Sequence, residues 1–257
     1  MSPGAEDAYA EILGIQFEQL TSSRFLSLIE ARLLAKVPTR LALANPEFCV
    51  VAQRQLALKK YLNDCDIVVA DGIGVVIAAK FLGFNIPERI TGTDFVYQLA
   101  SICERIGAKI FFYGGEPDVA NEAAKQLIEQ HAALKVVGAE HGYQDNRPGS
   151  PLWWKIQECK PDVLMVCLGN PRQENWISEF GQSLPASLIF GNGGALDFTA
   201  GRVKRAPAWM LKCGLEWVWR VCQDFTFSRV RRVLRLPIFV LLIIWQRFFP
   251  RSFRREL

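Results

Sequence analysis

The run Ile67-Val68-Val69-Ala70, closed at once by Asp71-Gly72-Ile73-Gly74, constrains the fold of this chain more than any other stretch. Four consecutive apolar residues, two of them valines, fit a short strand with no wet face. A strand buried on both sides calls for a parallel sheet covered by helices above and below. Gly72 and Gly74 let the backbone turn where the strand runs out, and Asp71 stands at that edge. Ligands of open α/β sheets bind in the crevice beyond the carboxyl ends of the strands. Asp71 is therefore placed either for chemistry or to cap the helix that follows, and the stretch alone admits both.

The rest of the chain repeats the pattern. Residues 1–20 read as a lead-in with an edge strand over Ile12–Phe17. Thr21 starts a helix whose apolar residues Phe25, Leu28, Ile29, Leu33 and Leu34 recur at helical spacing up to Val37. Arg40–Ala44 is a strand, and Asn45-Pro46-Glu47 opens a helix to about Leu62. After the 67–70 strand, helices are expected over Val75–Leu82, Thr93–Ile106, Asp118–His131 and Ser150–Cys159. Strands are expected over Lys109–Tyr113, Lys135–Ala139, Asp162–Leu168 and Ser187–Phe190. The sequence thus predicts an α/β fold, a mostly parallel sheet with helices on both faces. Residues 1–201 would form this domain and 202–257 a C-terminal helical appendage.

The appendage has a different texture. Trp209, Cys213, Trp217, Val221 and Phe225 step by four, with Lys212, Glu216, Arg220 and Asp224 on another face, which predicts a helix over Pro207–Asp224. Residues 229–257 hold eight arginines and one acid, a balance of +7; the whole chain is +4, so the remainder is about −3. Between the arginines, Leu236–Gln246 is uncharged. Eleven residues are too few to span a bilayer, which takes about 20. Phe239, Trp245, Phe248 and Phe249 with flanking arginines fit a helix lying on an anionic membrane surface; the other reading is a core or oligomer-interface helix. Basic charge also suits nucleic acid, but no RNA-binding motif accompanies it, and no nucleic-acid partner is expected. A homo-oligomer stays open. The seven cysteines are odd in number and lack a CxxC pair, so they read as buried thiols in a reducing compartment. His131 and His141 have no spaced metal-ligand partner, and the polar start of the chain carries no signal-peptide pattern.

Five strand ends carry polar or glycine-rich loops: Asn45-Pro46-Glu47, Asp71–Gly74, Tyr113-Gly114-Gly115, Gly169–Glu174 and Gly191–Gly194. In a parallel sheet all five face one crevice. Glycine loops and helix N-termini there suit a nucleotide diphosphate, although none matches a Walker A loop or GxGxxG. A buried-strand exit makes Asp71 a plausible base. Glu174 opens a helix, where an acid is stabilised; Asp197 is a candidate for a ribose or sugar hydroxyl. No DxD-like pair offers a magnesium site. A diphosphate would then be met by Arg89, Arg202, Lys204, Arg205 or tail arginines.

These motifs, in order, resemble the WecG/TagA/CpsF glycosyltransferases (family 26): Ala70–Val76, Arg89–Asp94, Phe112–Gly115, Leu168–Glu174, Gly191–Gly194 with Asp197–Gly201, and Arg205–Pro207 followed by Gly214–Trp217 and Arg220. The resemblance covers roughly residues 10–225. It implies a Rossmann-like core and a metal-independent, inverting transferase that needs no cofactor. Such enzymes move an N-acetylmannosamine-type sugar, or a uronic acid relative, from UDP to N-acetylglucosaminyl-diphospho-undecaprenol. The setting it implies is peripheral, on the cytoplasmic face of the cell membrane. By the same resemblance Asp71 is the general base, and Asn45, Gln173 and Arg89 are active-site groups. Gly72, Thr91, Tyr113, Gly114, Gly115, Gly169, Arg172, Glu174, Asn192, Gly193, Asp197, Arg202, Arg205 and Arg220 are then expected around the substrates. Leu43 departs from the family, which often carries Thr there, so donor or acceptor contacts are expected to differ. That departure keeps open a rival reading, a non-catalytic, membrane-recruited nucleotide-binding protein. A nicotinamide dehydrogenase would want the missing GxGxxG.

Overall fold

The computed structural model describes residues 9–212, 218–219 and 235–249. Its centre is a six-stranded sheet in the order β4-β3-β8-β7-β5-β6, with every neighbouring pair parallel. The strands are β3 (Thr39–Ala44), β4 (Ile67–Ala70), β5 (Lys109–Gly114), β6 (Lys135–Glu140), β7 (Val163–Cys167) and β8 (Leu188–Gly191). β1 (Tyr9–Ile12) and β2 (Ile15–Glu18) form a separate antiparallel hairpin. The helices are α1 (Ser22–Leu34), α2 (Pro46–Ala52), α3 (Leu56–Asp64), α4 (Ile73–Leu82), α5 (Gly92–Ile106), α6 (Val119–Gln130), α7 (Pro151–Cys159), α8 (Arg172–Phe180), α9 (Ala195–Thr199), α10 (Ala208–Lys212) and α11 (Arg235–Phe248).

Period-two alternation explains why the sheet is covered on both sides. Ala42, Ala44, Val68, Ala70, Phe111, Tyr113, Leu164, Val166 and Ile189 enter one core with α2, α3, α4, α7 and α8. Their neighbours Leu41, Leu43, Ile67, Val69, Ile110, Phe112, Val163, Met165, Leu188 and Phe190 enter the other, with α1, α5, α6 and α9. On that second side Phe95 packs between Phe25 and Phe190, with ring centroids 5.0 and 5.3 Å away. Side-chain caps fix several helix starts: Thr21, Asn45, Thr91 and Ser150 each accept the amide proton of the residue three positions on.

Two expectations at the amino end need correction. Ile12–Phe17 is not one strand, because the chain reverses at Leu13-Gly14, where both residues have positive φ (53° and 73°). A leucine in that conformation is uncommon, and it hid the turn. The helix expected from Asn45 to Leu62 is two helices, α2 and α3. Beyond the end of α2 the Gln53 side-chain amide donates to the Leu13 carbonyl (2.9 Å) and the Cys49 carbonyl (3.1 Å), which secures the hairpin.

α11 packs its Phe239 and Ile243 into the core beside α2 and α4. Gln246 is buried and clamps the hairpin: its Oε1 accepts from Leu13 N (2.8 Å) and its Nε2 donates to the Glu11 carbonyl (2.9 Å). Arg235 pairs with Glu47 at the start of α2. The opposite face of α11 leaves Val240, Leu241, Trp245 and Phe248 exposed. The uncharged run is thus a helix docked by one side. No helix among the described residues is long and apolar enough to cross a membrane. The helix expected over Pro207–Asp224 is described as α10 and at Val218 and Trp219; the rest of it, with Arg220, lies outside the described residues.

Candidate active site

Register brings the predicted loops to one edge. Ala44 lies opposite Ala70, Gly114 opposite Cys167, and Val166 opposite Gly191, so Asn45, Asp71, Gly115, Leu168 and Asn192 leave the sheet side by side. Strands lie about 4.8 Å apart, so the β3 and β7 exits are separated by about 10 Å. The loops after β5 and β7 lead to helices on opposite faces, α6 and α8. The crevice between them is the topological switch point of the sheet.

The first wing holds Asp71 and Asn45. Asp71 N donates to the Ala44 carbonyl at 2.9 Å, which ties the two strand ends. The N-cap of α4 is Gly72, at φ +108°, so Asp71 stands one residue before the cap and is half-buried. Asn45 caps α2, accepting from Phe48 N at 3.1 Å. That bond fixes the side-chain amide at the β3 exit, next to Asp71. Leu43 is buried in the core on the α1 and α5 side.

The middle of the edge is a network. Thr91 caps α5 and donates to Asp94 Oδ2 at 2.6 Å. Arg205 pairs with Asp94 Oδ1, and Arg89 donates to the Leu211 carbonyl. Burial pushes the Asp94 carboxyl up, but hydrogen bonds from Arg205 and Thr91 outweigh it and hold the group below its usual range. Arg202 forks onto Glu122 of α6 (2.6 and 2.9 Å). Three arginines expected to meet a diphosphate therefore also hold the 202–211 segment against the body. Asn192 reaches from β8 to donate to the Gly92 carbonyl at 2.8 Å.

The second wing is glycine-rich. A pocket of about 150 Å³ opens between Gly115, Gly142, Leu168, Arg172 and Asp197, with Cys167 in its wall. Glu116 and Tyr143 also line it, and the Tyr143 hydroxyl donates to Glu116 Oε1 at 2.5 Å. Gly142, Tyr143 and Glu116 are not among the residues that the sequence motifs mark. A signal for two of them exists: Gly142 and Tyr143 follow the sixth strand, whose end the five-loop reading omits. Tyr113 points the other way. It is fully buried against Trp176 (5.3 Å between centroids), and its hydroxyl accepts from Asn146 Nδ2 at 2.8 Å. Gly169 has φ +78° and supplies the turn before α8.

Gln173 and Glu174 lie beneath this wing, 3% and 2% exposed. Gly169 N donates to Gln173 Oε1 (3.1 Å), and Gln173 Nε2 donates to Glu174 Oε1 (2.7 Å). Burial pushes the Glu174 carboxyl from 4.5 up to about 7, against hydrogen bonds from Gln173, its own backbone amide and Asn170. The helix start does not offset that burial. A carboxyl raised in the folded state stabilises fully below its unfolded value and loses that contribution as pH rises through about 7. At 1.36 kcal/mol per unit the loss is about 3 kcal/mol. Glu174→Gln is expected to match the parent near pH 4 and exceed its stability at pH 8. Urea titrations at the two pH values check this, and equal stabilities at pH 8 would contradict it.

The profile of the Glycosyl transferase WecG/TagA/CpsF family matches residues 10–253. Among its relatives, an N-acetylglucosaminyldiphosphoundecaprenol N-acetyl-beta-D-mannosaminyltransferase of Bacillus subtilis is 29% identical, over 81% of this chain and 80% of its own. Its namesake in Bacillus spizizenii is 31% identical over 78% and 77%. The Staphylococcus aureus enzyme of that name is 30% identical over 91% of both chains. With the parallel sheet and the family's motifs at its carboxyl edge, this nearly full-length match means that the chain belongs to the WecG/TagA/CpsF family of glycosyl transferases.

Proposed function

We propose that this protein transfers an N-acetylmannosamine-type sugar, with inversion, from a UDP-sugar to N-acetylglucosamine linked through diphosphate to a polyprenol. The names of its relatives support the acceptor and the sugar. The observation that carries the reading is the placement of Asp71 and Asn45 just beyond adjoining strand ends, on the same edge as the glycine-lined pocket. UDP would lie along that edge with a ring in the pocket and the sugar toward Asp71. The Asp71 carboxylate takes the proton of the acceptor hydroxyl. That oxygen bonds to the anomeric carbon as the bond to the UDP oxygen breaks. The diphosphate leaves with its charge met by loop N–H groups and Arg172. Neither a cofactor nor a metal is part of this scheme. The decisive experiment offers a panel of UDP-sugars with a lipid-diphosphate N-acetylglucosamine acceptor and reads product mass. Transfer of the N-acetylmannosamine-type sugar is expected; no product from any donor overturns the reading.

The same proposal puts the protein on the inner face of the cell membrane, with residues from 202 onward as the membrane-facing part. Exposed apolar side chains support it. Ile73, Ile77 and Phe81 form an i, i+4, i+8 stripe on α4, and Leu241, Trp245 and Phe248 lie on the neighbouring α11. Serine at Leu241, Trp245 and Phe248 together leaves the buried Phe239, Ile243 and Gln246 in place. Fully burying such side chains is worth roughly 1.5–3 kcal/mol each, so vesicle affinity is expected to fall at least about a hundredfold. Unchanged co-sedimentation with anionic vesicles would refute the membrane placement.

A further inference from the structure

Glu174 is a buried acid to which the transfer chemistry assigns no step. Its two oxygens nevertheless face two amides of the site: Gln173 Nε2 at 2.7 Å and Asn170 Nδ2 at 3.3 Å. The direction of the Gln173 amide is not arbitrary. Gly169 N is a backbone donor 3.1 Å away and can be met only by an acceptor, so Oε1 must face it. Nε2 is then turned into the protein, where Glu174 is the acceptor within reach.

The oriented amide acts as a wedge between two loops. A Cβ on Gly191 would come within 2.7 Å of Gln173 Nε2, and one on Gly193 within 2.8 Å of Gln173 Oε1. The same Cβ on Gly193 would lie 2.9 Å from Gly169 Cα. The β7 and β8 loops therefore meet directly at Gly169 and Gly193, and the Gln173 side chain packs into the same contact. Asn192, between the two glycines, carries the contact on to Gly92 and the Thr91 cap.

We infer that Glu174 is a positioning residue for the nucleotide: it holds the Gln173 amide in the one orientation that sets the gap between the two glycine loops. It touches no substrate itself. Losing its acceptor leaves Nε2 unpaired in a buried place, and the amide must turn or withdraw. Either movement takes the acceptor from Gly169 N and frees the two loops to shift relative to one another.

This inference rests on the proposed UDP-sugar site. Its test therefore reads UDP binding by calorimetry on the full chain, beside initial rates with both substrates. Glu174→Leu removes the acceptor, Glu174→Asp withdraws it by one methylene but keeps a carboxyl, and Glu174→Gln restores an acceptor oxygen. The expected result is a UDP affinity at least about tenfold weaker in Glu174→Leu, the loss of one buried hydrogen bond. Its donor KM rises while the acceptor KM stays within about threefold. Glu174→Gln recovers most of the loss, and Glu174→Asp falls between the two. Should Glu174→Leu fail to fold, as judged by circular dichroism, the Asp and Gln forms carry the comparison. UDP affinities within about twofold of the parent in the folded Leu and Asp variants would overturn the positioning role and leave the proposed function standing. A Gln form as weak as the Leu form would also overturn it. A parent protein that binds no UDP overturns both.

Discussion

Asp71→Asn is expected to lower transfer by about 10²–10⁴, the usual contribution of a positioned general base, while UDP affinity stays within a few-fold. The substitution separates the two roles that the sequence left open. Asn is as good a helix cap as Asp, so a capping residue would tolerate the change. The backbone bond from residue 71 to the Ala44 carbonyl does not involve the side chain and survives. The N-cap of α4 is Gly72, so Asp71 is not its capping residue. What the amide lacks is basicity. Single-turnover rates with a saturating donor, beside calorimetry with UDP, measure the two quantities. A variant with parental turnover would remove Asp71 from the mechanism.

The second large effect is expected at Gly114. This residue closes β5 with φ +128°, pairs with Cys167 across the sheet, and precedes Gly115, whose N–H donates to the Cys167 carbonyl at 2.9 Å. A Cβ on Gly114 would sit 2.3 Å from that oxygen and 2.4 Å from its carbon. Both are backbone atoms of a central strand, so no side-chain rotation relieves the overlap. Strain at such a φ costs about 1–3 kcal/mol, and overpacking adds about 1–3 kcal/mol. Gly114→Ala is therefore expected to lower Tm on the order of 10 °C, given roughly 2–4 °C per kcal/mol at this size. Gly169→Ala is the matched control. It has positive φ too, but a Cβ there meets nothing within 4 Å, so its loss should be limited to the strain. Thermal melts of the two variants decide the matter: equal losses would show that the close approach at Gly114 relaxes.

How far the chain could be read from its residues follows from the range of the forces involved. Strands such as Ile67–Ala70 and Val163–Cys167 were legible because burial on both faces writes an uninterrupted apolar run. Helix starts at Thr21 and Ser150 were legible because the cap is local chemistry. Asn45 and Asp71 could be placed at one edge once the sheet was taken as parallel. The surroundings of the other site residues could not be read. Tyr113 alternates into the core by strand parity, although its neighbours Gly114 and Gly115 belong to the crevice. Arg202 and Arg205 answer to Glu122 and Asp94, partners 80 and 111 residues away. Glu174 read only as a helix-start acid near the substrates, because its burial depends on the packing of α8 against β8 and α3.

The clasp between Gln246 and the hairpin joins residues 233 and 235 positions apart. A ribosome adds about 5–20 residues per second, so β1 and β2 wait roughly 10–50 s for α11. Until then the Leu13 amide and the Glu11 carbonyl must rely on water, and the pocket for Phe239 and Ile243 stays open. The helix that closes this gap is also the one whose outer face carries Leu241, Trp245 and Phe248. An unfinished chain therefore lacks both the final piece of its core and that outer face, and the two arrive in a single late event of synthesis.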